Sequence, residues 1–188
     1  DILRAVPDHY PTVHYLAALL FQRGDITEAL IYAKKAVEVE PEEIECWVNY
    51  GVILSSNESY EEAIDALDTA ISLDVNCFEA YSNKGYVLWL MGNYEEAEEM
   101  SAQATVLQPN NPAPYLNMGI ALASQNKLDE AEEIWAQIIE MDPNSSKAYS
   151  NWSNTLRAMG GFLEAKEKAL KAVELDDNDH EAWNNLAN

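Results

Sequence analysis

The densest runs of acids, Glu95, Glu96, Glu98, Glu99 and Asp129, Glu130, Glu132, Glu133, have the crowding that metal binding or paired-carboxylate catalysis would need. Such chemistry asks for histidine or cysteine among the ligands, or for two carboxyl groups held in unlike environments. No histidine joins either run, so both read as solvated helix faces and no metal is expected. His9, His14 and His180 have no nucleophile or paired acid at a recurring spacing, and there is no Gly-rich phosphate loop. Cys46 and Cys77 are too few for a disulfide framework or a metal cluster and read as free thiols. The chain is therefore expected to be no enzyme and to use no cofactor. One group of side chains does recur: Asn49, Asn83, Asn117, Asn151 and Asn185. An Asn amide offers one acceptor and two donors, which match the C=O and N–H of an extended peptide.

The asparagines stand 34 residues apart, and so does much else. Glu28, Glu62, Glu96, Glu130 and Glu164 share one phase, each followed directly by Ala. Leu20, Leu54, Leu88, Leu122 and Leu156 share another, and Pro7, Pro41, Pro109 and Pro143 a third. A fixed period of this length marks a unit that cannot bury its apolar face alone and must stack on copies of itself. Let the repeats be numbered 1 to 34 from Tyr10, Ile44, Phe78, Pro112 and Ser146. Apolar or small residues at phases 4, 7, 8 and 11 predict one helix, and those at phases 17, 20, 24, 27 and 30 a second. Gly24, Gly92 and Gly160 break the chain between them. Asp25, Ser59 and Asn93, three residues ahead of the recurring Glu, predict a capping box at the second helix. The expected organisation is a single domain over 1–188. It comprises the end of a repeat (1–9), full repeats 10–43, 44–77, 78–111, 112–145 and 146–179, and the start of another (180–188). That phase runs off both ends, as in a piece of a longer array.

Charge bounds the partners. The net charge is −22, and between Lys35 and Lys127 the only cation is Lys84. Such a field repels phosphate, so nucleic acid and anionic membranes are excluded, while a basic protein or peptide is steered in. No run of 18 apolar residues occurs, so no membrane insertion is expected. "DILRAVPDH" lacks the charged-then-apolar pattern of a signal peptide, and the cytoplasm is the expected location.

These repeats resemble the tetratricopeptide repeat family, whose signature aromatic is met by Trp47, Tyr81, Tyr115, Tyr149 and Trp183. Its small residue is met by Gly51, Gly85, Gly119 and Ser153, and its later positions by Ala131, Trp135 and Pro143. The resemblance spans the whole chain. It departs at Lys84, which occupies an apolar phase, and at Val75 and Asp177, which replace Pro. It implies an all-α, right-handed superhelical solenoid of antiparallel helix–turn–helix repeats, with the outer face of each first helix lining a concave groove. The Asn ladder falls on that face. Around it stand Val48, Val52, Tyr86, Trp89, Leu90, Leu116 and Ile120, an apolar set that implies something covers it. First helices stacked about 9 Å apart carry the ladder over roughly 36 Å. An extended peptide of about eleven residues spans that length.

The ladder resembles that of the repeat region of O-linked N-acetylglucosamine transferases. The Lys and Arg positions of chaperone-binding members are unmet, since phase 5 has no Lys and phase 6 no Arg. The resemblance therefore implies a non-catalytic scaffold that binds an extended peptide or helix of a protein partner. Two other roles are open: the substrate-recruiting arm of a larger enzyme such as a protein glycosyltransferase, and a scaffold that self-associates.

Overall fold

The computed structural model describes residues 10–187; the segment 1–9, with Pro7 and His9, lies outside the described residues. Among the described residues there are eleven helices and no strand. First helices are α1 (Tyr10–Gln22), α3 (Ile44–Ser56), α5 (Phe78–Leu90), α7 (Pro112–Ser124), α9 (Ser146–Ala158) and α11 (His180–Ala187). Second helices are α2 (Ile26–Val39), α4 (Tyr60–Leu73), α6 (Tyr94–Leu107), α8 (Leu128–Met141) and α10 (Phe162–Leu175). In all five full repeats the helices occupy phases 1–13 and 17–30, so the period is a structural one.

The turn inside each repeat follows from one backbone conformation. Gly24, Gly92 and Gly160 have φ of +82°, +83° and +87°, and Glu58 and Asn126 fill the same phase at +62°. A left-handed residue at this point turns the chain back on the helix it has just left. Asp25, Ser59, Lys127 and Gly161 then donate their N–H groups to the carbonyls of Leu20, Leu54, Leu122 and Leu156 at 2.9–3.0 Å. The recurring Leu thus contributes its carbonyl as well as its side chain.

This turn overturns the expected capping box. Asp25, Ser59 and Asn93 are N-caps, yet none caps its helix with a hydrogen bond from a backbone N–H to its side chain. The box requires the N-cap N–H to be available to the following Glu. In the first two repeats that N–H is already given to Leu20 or Leu54. Side-chain capping appears instead at first helices: Asn111 accepts from Ala113, Ser145 from Ala148, and Asp179 from Glu181 and Ala182.

The turns between repeats are tied by the signature aromatic. The indole N–H of Trp47 donates to the Pro41 carbonyl at 2.8 Å, and Tyr115 and Trp183 donate likewise to Pro109 and Asp177. Asp177 keeps this contact without proline, because the bond needs a carbonyl and not a ring.

The described residues divide into two compact units, the first ending at Met91 and the second beginning at Gly92. In each, first helices neighbour first helices, α1–α3–α5 and α7–α9–α11. The core of the first unit gathers Leu54, Ala63, Leu67, Ala70 and Val87; that of the second gathers Leu122, Ala131, Ile134, Trp135 and Ile138. The two helices of a repeat meet where phase 8 faces phase 24, and the sizes there are complementary. Gly51 faces Leu67, and Gly119 faces the fully buried Trp135. A methyl group on Gly119 would lie 2.6 Å from the indole ring, and one on Gly51 would lie 2.7 Å from Leu67 Cγ. Trp135 also donates its indole N–H to Thr155 Oγ1 at 2.9 Å, which binds α8 to α9. Lys84 is held by an ion pair with Asp68, and Cys46 and Cys77 are buried free thiols.

Two substitutions test these constraints by thermal unfolding. Gly119→Ala overpacks a rigid ring and should cost about 1–3 kcal/mol. Glu58→Gly relieves a left-handed non-glycine residue and should raise stability by roughly 0.5–1 kcal/mol after the entropy of glycine is counted. The second change corresponds to a rise of about 1–4 °C in Tm.

Candidate functional site

On each first helix, phases 2, 6, 9 and 12 form a stripe turned away from the stripe that packs on the second helix. In the first unit this face is carried by α1, α3 and α5. Asn49 and Asn83 lie on it half-buried, with Val52, Trp89 and Leu90 partly exposed and Tyr86 at 43%. The Tyr86 and Trp89 rings stack, with centroids 5.9 Å apart and planes inclined by 24°. Val48 keeps only 9% of its surface and belongs to the core around Leu54 and Leu67, so it offers a ligand little. Tyr15, which interrupts the ladder in the first repeat, is exposed at 71%. In the second unit Leu116, Asn117 and Ile120 of α7, Asn151 of α9 and Asn185 of α11 are all partly buried.

The ladder does scaffold work that spacing alone did not reveal. Asn185 Nδ2 donates to the Ser150 carbonyl at 3.2 Å, from one first helix to the preceding one. Asn49 Nδ2 lies 3.4 Å from His14 Nε2 and donates to it when that nitrogen carries no proton. Both bonds run from phase 6 to phase 5 of the repeat before. Asn151 instead donates to its own helix at Lys147 O, 2.9 Å away. Asn83 has no hydrogen-bond partner among the described residues. An amide whose N–H groups tie neighbouring helices still has its carbonyl oxygen to offer.

Around His14 the structure gathers a cluster that spacing could not show. Cys46 Sγ lies 3.4 Å from His14 Nδ1, and Glu45 Oε1 lies 3.5 Å from His14 Nε2. A Cys beside a His suggests nucleophilic chemistry, but Cys46 is 1% exposed and no substrate atom can reach its sulfur. Cys77 is no better placed. Burial, opposed by the Ala80 backbone hydrogen bond and reinforced by Glu79 and Asp74, pushes its thiol up and keeps it protonated. Among the described residues no group of three or more His, Cys, Asp or Glu is arranged to hold a metal ion. No described helix is long and apolar enough to cross a membrane.

Two sequence patterns described as tetratricopeptide repeat match the chain, one over residues 16–74 and 51–112 and the other over 88–151. The first alone covers more than half of it. The chain belongs to the tetratricopeptide repeat family. Compared by sequence with curated proteins, it matches none. Its fold is similar to that of TTC0263 from Thermus thermophilus, a thermophilic tetratricopeptide repeat protein, with TM-score 0.82 and 18% identity over 95% of this chain and 97% of that one. It is also similar to YrrB, with TM-score 0.69 and 22% identity over 97% and 94% of the two chains. YrrB is described as a tetratricopeptide repeat protein with an unusual peptide-binding site. MamA from Desulfovibrio magneticus RS-1 matches with TM-score 0.76 and 22% identity over 91% and 97%. At these identities the likeness concerns the fold.

The unequal bonding of the ladder makes a measurable difference within this tetratricopeptide repeat protein. Asn49→Ala and Asn185→Ala each lose a bond between first helices and should cost about 0.5–1.5 kcal/mol. Asn83→Ala should leave the denaturant midpoint nearly unchanged.

Proposed function

We propose that this tetratricopeptide repeat chain is a non-catalytic scaffold that holds an extended peptide or a helix of a protein partner on the outer faces of its first helices. The observation that carries this reading is the half-buried Asn ladder standing among partly exposed apolar side chains, above all the stacked Tyr86–Trp89 pair. Isolated exposed apolar residues are normal, but a row of them beside amide acceptors suits a backbone flanked by side chains. Each amide contributes only about 0.5–1.5 kcal/mol, so the ladder grips any backbone and the apolar residues supply the preference. YrrB, whose fold is similar, is itself described as having a peptide-binding site, which supports the same use here. The net charge of −22 speeds the encounter with a partner of opposite charge, and the cytoplasm is the proposed setting.

The test is a triple substitution, Asn83→Ala with Asn117→Ala and Trp89→Asp. Pull-down from lysate with mass spectrometry should show partner capture by the parent chain and its loss in the variant, which should keep its helical circular-dichroism spectrum and a cooperative thermal transition. Undiminished capture by a folded variant would remove the binding function from this face.

A further inference from the structure

The groove face of the first unit has a chemical character that its apolar content hides. Among the described residues it bears no lysine or arginine, and the first positions of its α3 and α5 stripes are Glu45 and Glu79. Both carboxylates are exposed. Glu45 keeps 69% of its side-chain surface even with His14 at 3.5 Å. Two turns along α5 from Glu79 stands Tyr86, backed by Trp89 and still 43% exposed. A cation placed over an aromatic face is attracted by the ring quadrupole, and a nearby carboxylate adds a charge-assisted hydrogen bond. The chain already seats a cation on an aromatic ring within itself, with a carboxylate that accepts from the ring and not from the cation. Lys168 Nζ sits 3.5 Å above the Trp152 ring, whose indole N–H donates to Glu132 Oε1 at 3.2 Å.

The groove face is not anionic everywhere. In the second unit the stripe of α9 carries Lys147 and Arg157, neither paired with a carboxylate among the described residues. Glu181 stands at the same position of α11, so the face of the first unit is set apart by the absence of any cation among its described residues and not by its carboxylates alone.

We propose that the groove face of the first unit recognises an arginine or lysine side chain of an extended partner segment, seated on Tyr86 and paired with Glu79 or Glu45. This rests on the peptide-binding reading above and adds the sign and type of the anchoring residue. An apolar face alone would select Leu or Phe; this face selects a cation with an aliphatic stem, which covers the ring while its head reaches the carboxylate.

Display selection from randomised peptides of about eleven residues, the length expected to span the ladder, tests it with the whole chain as bait. Selected peptides should be enriched in Arg or Lys, and the enrichment should vanish in the Glu45→Lys, Glu79→Lys double variant. Both sites are exposed, and the Glu45→Gln, Glu79→Gln pair provides a milder version. For one selected peptide, Tyr86→Leu should weaken binding about tenfold, while replacing its Arg by Leu should make Tyr86→Leu nearly silent. Selected peptides rich only in apolar residues or in acids would overturn the proposal, as would a profile indifferent to reversal of Glu45 and Glu79. If such peptides are still lost in the triple groove variant, the peptide-binding reading stands and the cation preference falls. If the folded chain selects nothing, both fall together.

Discussion

A single backbone hydrogen bond, made in four of the five full repeats, sets the geometry on which the rest depends. The carbonyl at phase 11 accepts from the N–H at phase 16, and this requires a left-handed residue at phase 15. That bond fixes where the second helix starts and how it returns along the first. It therefore decides that phase 8 will meet phase 24, and so which residues must be small. Gly51 and Gly119 answer to this geometry more than to any helix preference, since glycine inside a helix is otherwise unfavourable by about 1 kcal/mol. With the packing face of each first helix committed in this way, the opposite face is left to the asparagines and to whatever lies against them.

That opposite face also helps to hold the array together. Asn49 and Asn185 tie first helices to their predecessors, while Asn83 is spared that duty. A ladder with one identity in the sequence is thus uneven in structure, and its members differ in the hydrogen-bonding capacity left to them. Positions that stabilise the array resist substitution for reasons unrelated to binding. The stacked Tyr86 and Trp89 lie on the same helix as the unengaged Asn83.

Much of the fold could be read from the period. Helix limits at phases 1–13 and 17–30 follow from the apolar stripes and from the glycines at phase 15. Glu58 and Asn126 take the same left-handed conformation without being glycine, so composition alone hides two of the five turns. The capping box misled because its residue pattern is local, whereas the N–H it needs is consumed by a carbonyl five residues earlier. The outward stripe of the first helices was legible as a set of phases, but the burial of Val48 was not. Phase 5 turns far enough towards the neighbouring first helix to be covered, and only packing shows how far. The contact of His14 with Cys46 and Asn49 was equally out of reach, since it joins residues 32 and 35 positions apart across two helices.

The pairing of Gly51 with Leu67, and of Gly119 with Trp135, lies within single 34-residue repeats. Each repeat therefore carries both halves of its own steric fit and travels as a cassette. Duplication or loss of a whole repeat would leave every such fit intact. The bonds that cross from one repeat to the next, such as Trp135 to Thr155 and Asn185 to Ser150, would have to be found again. An array built this way can change its length by recombination more readily than it can change the order of its repeats.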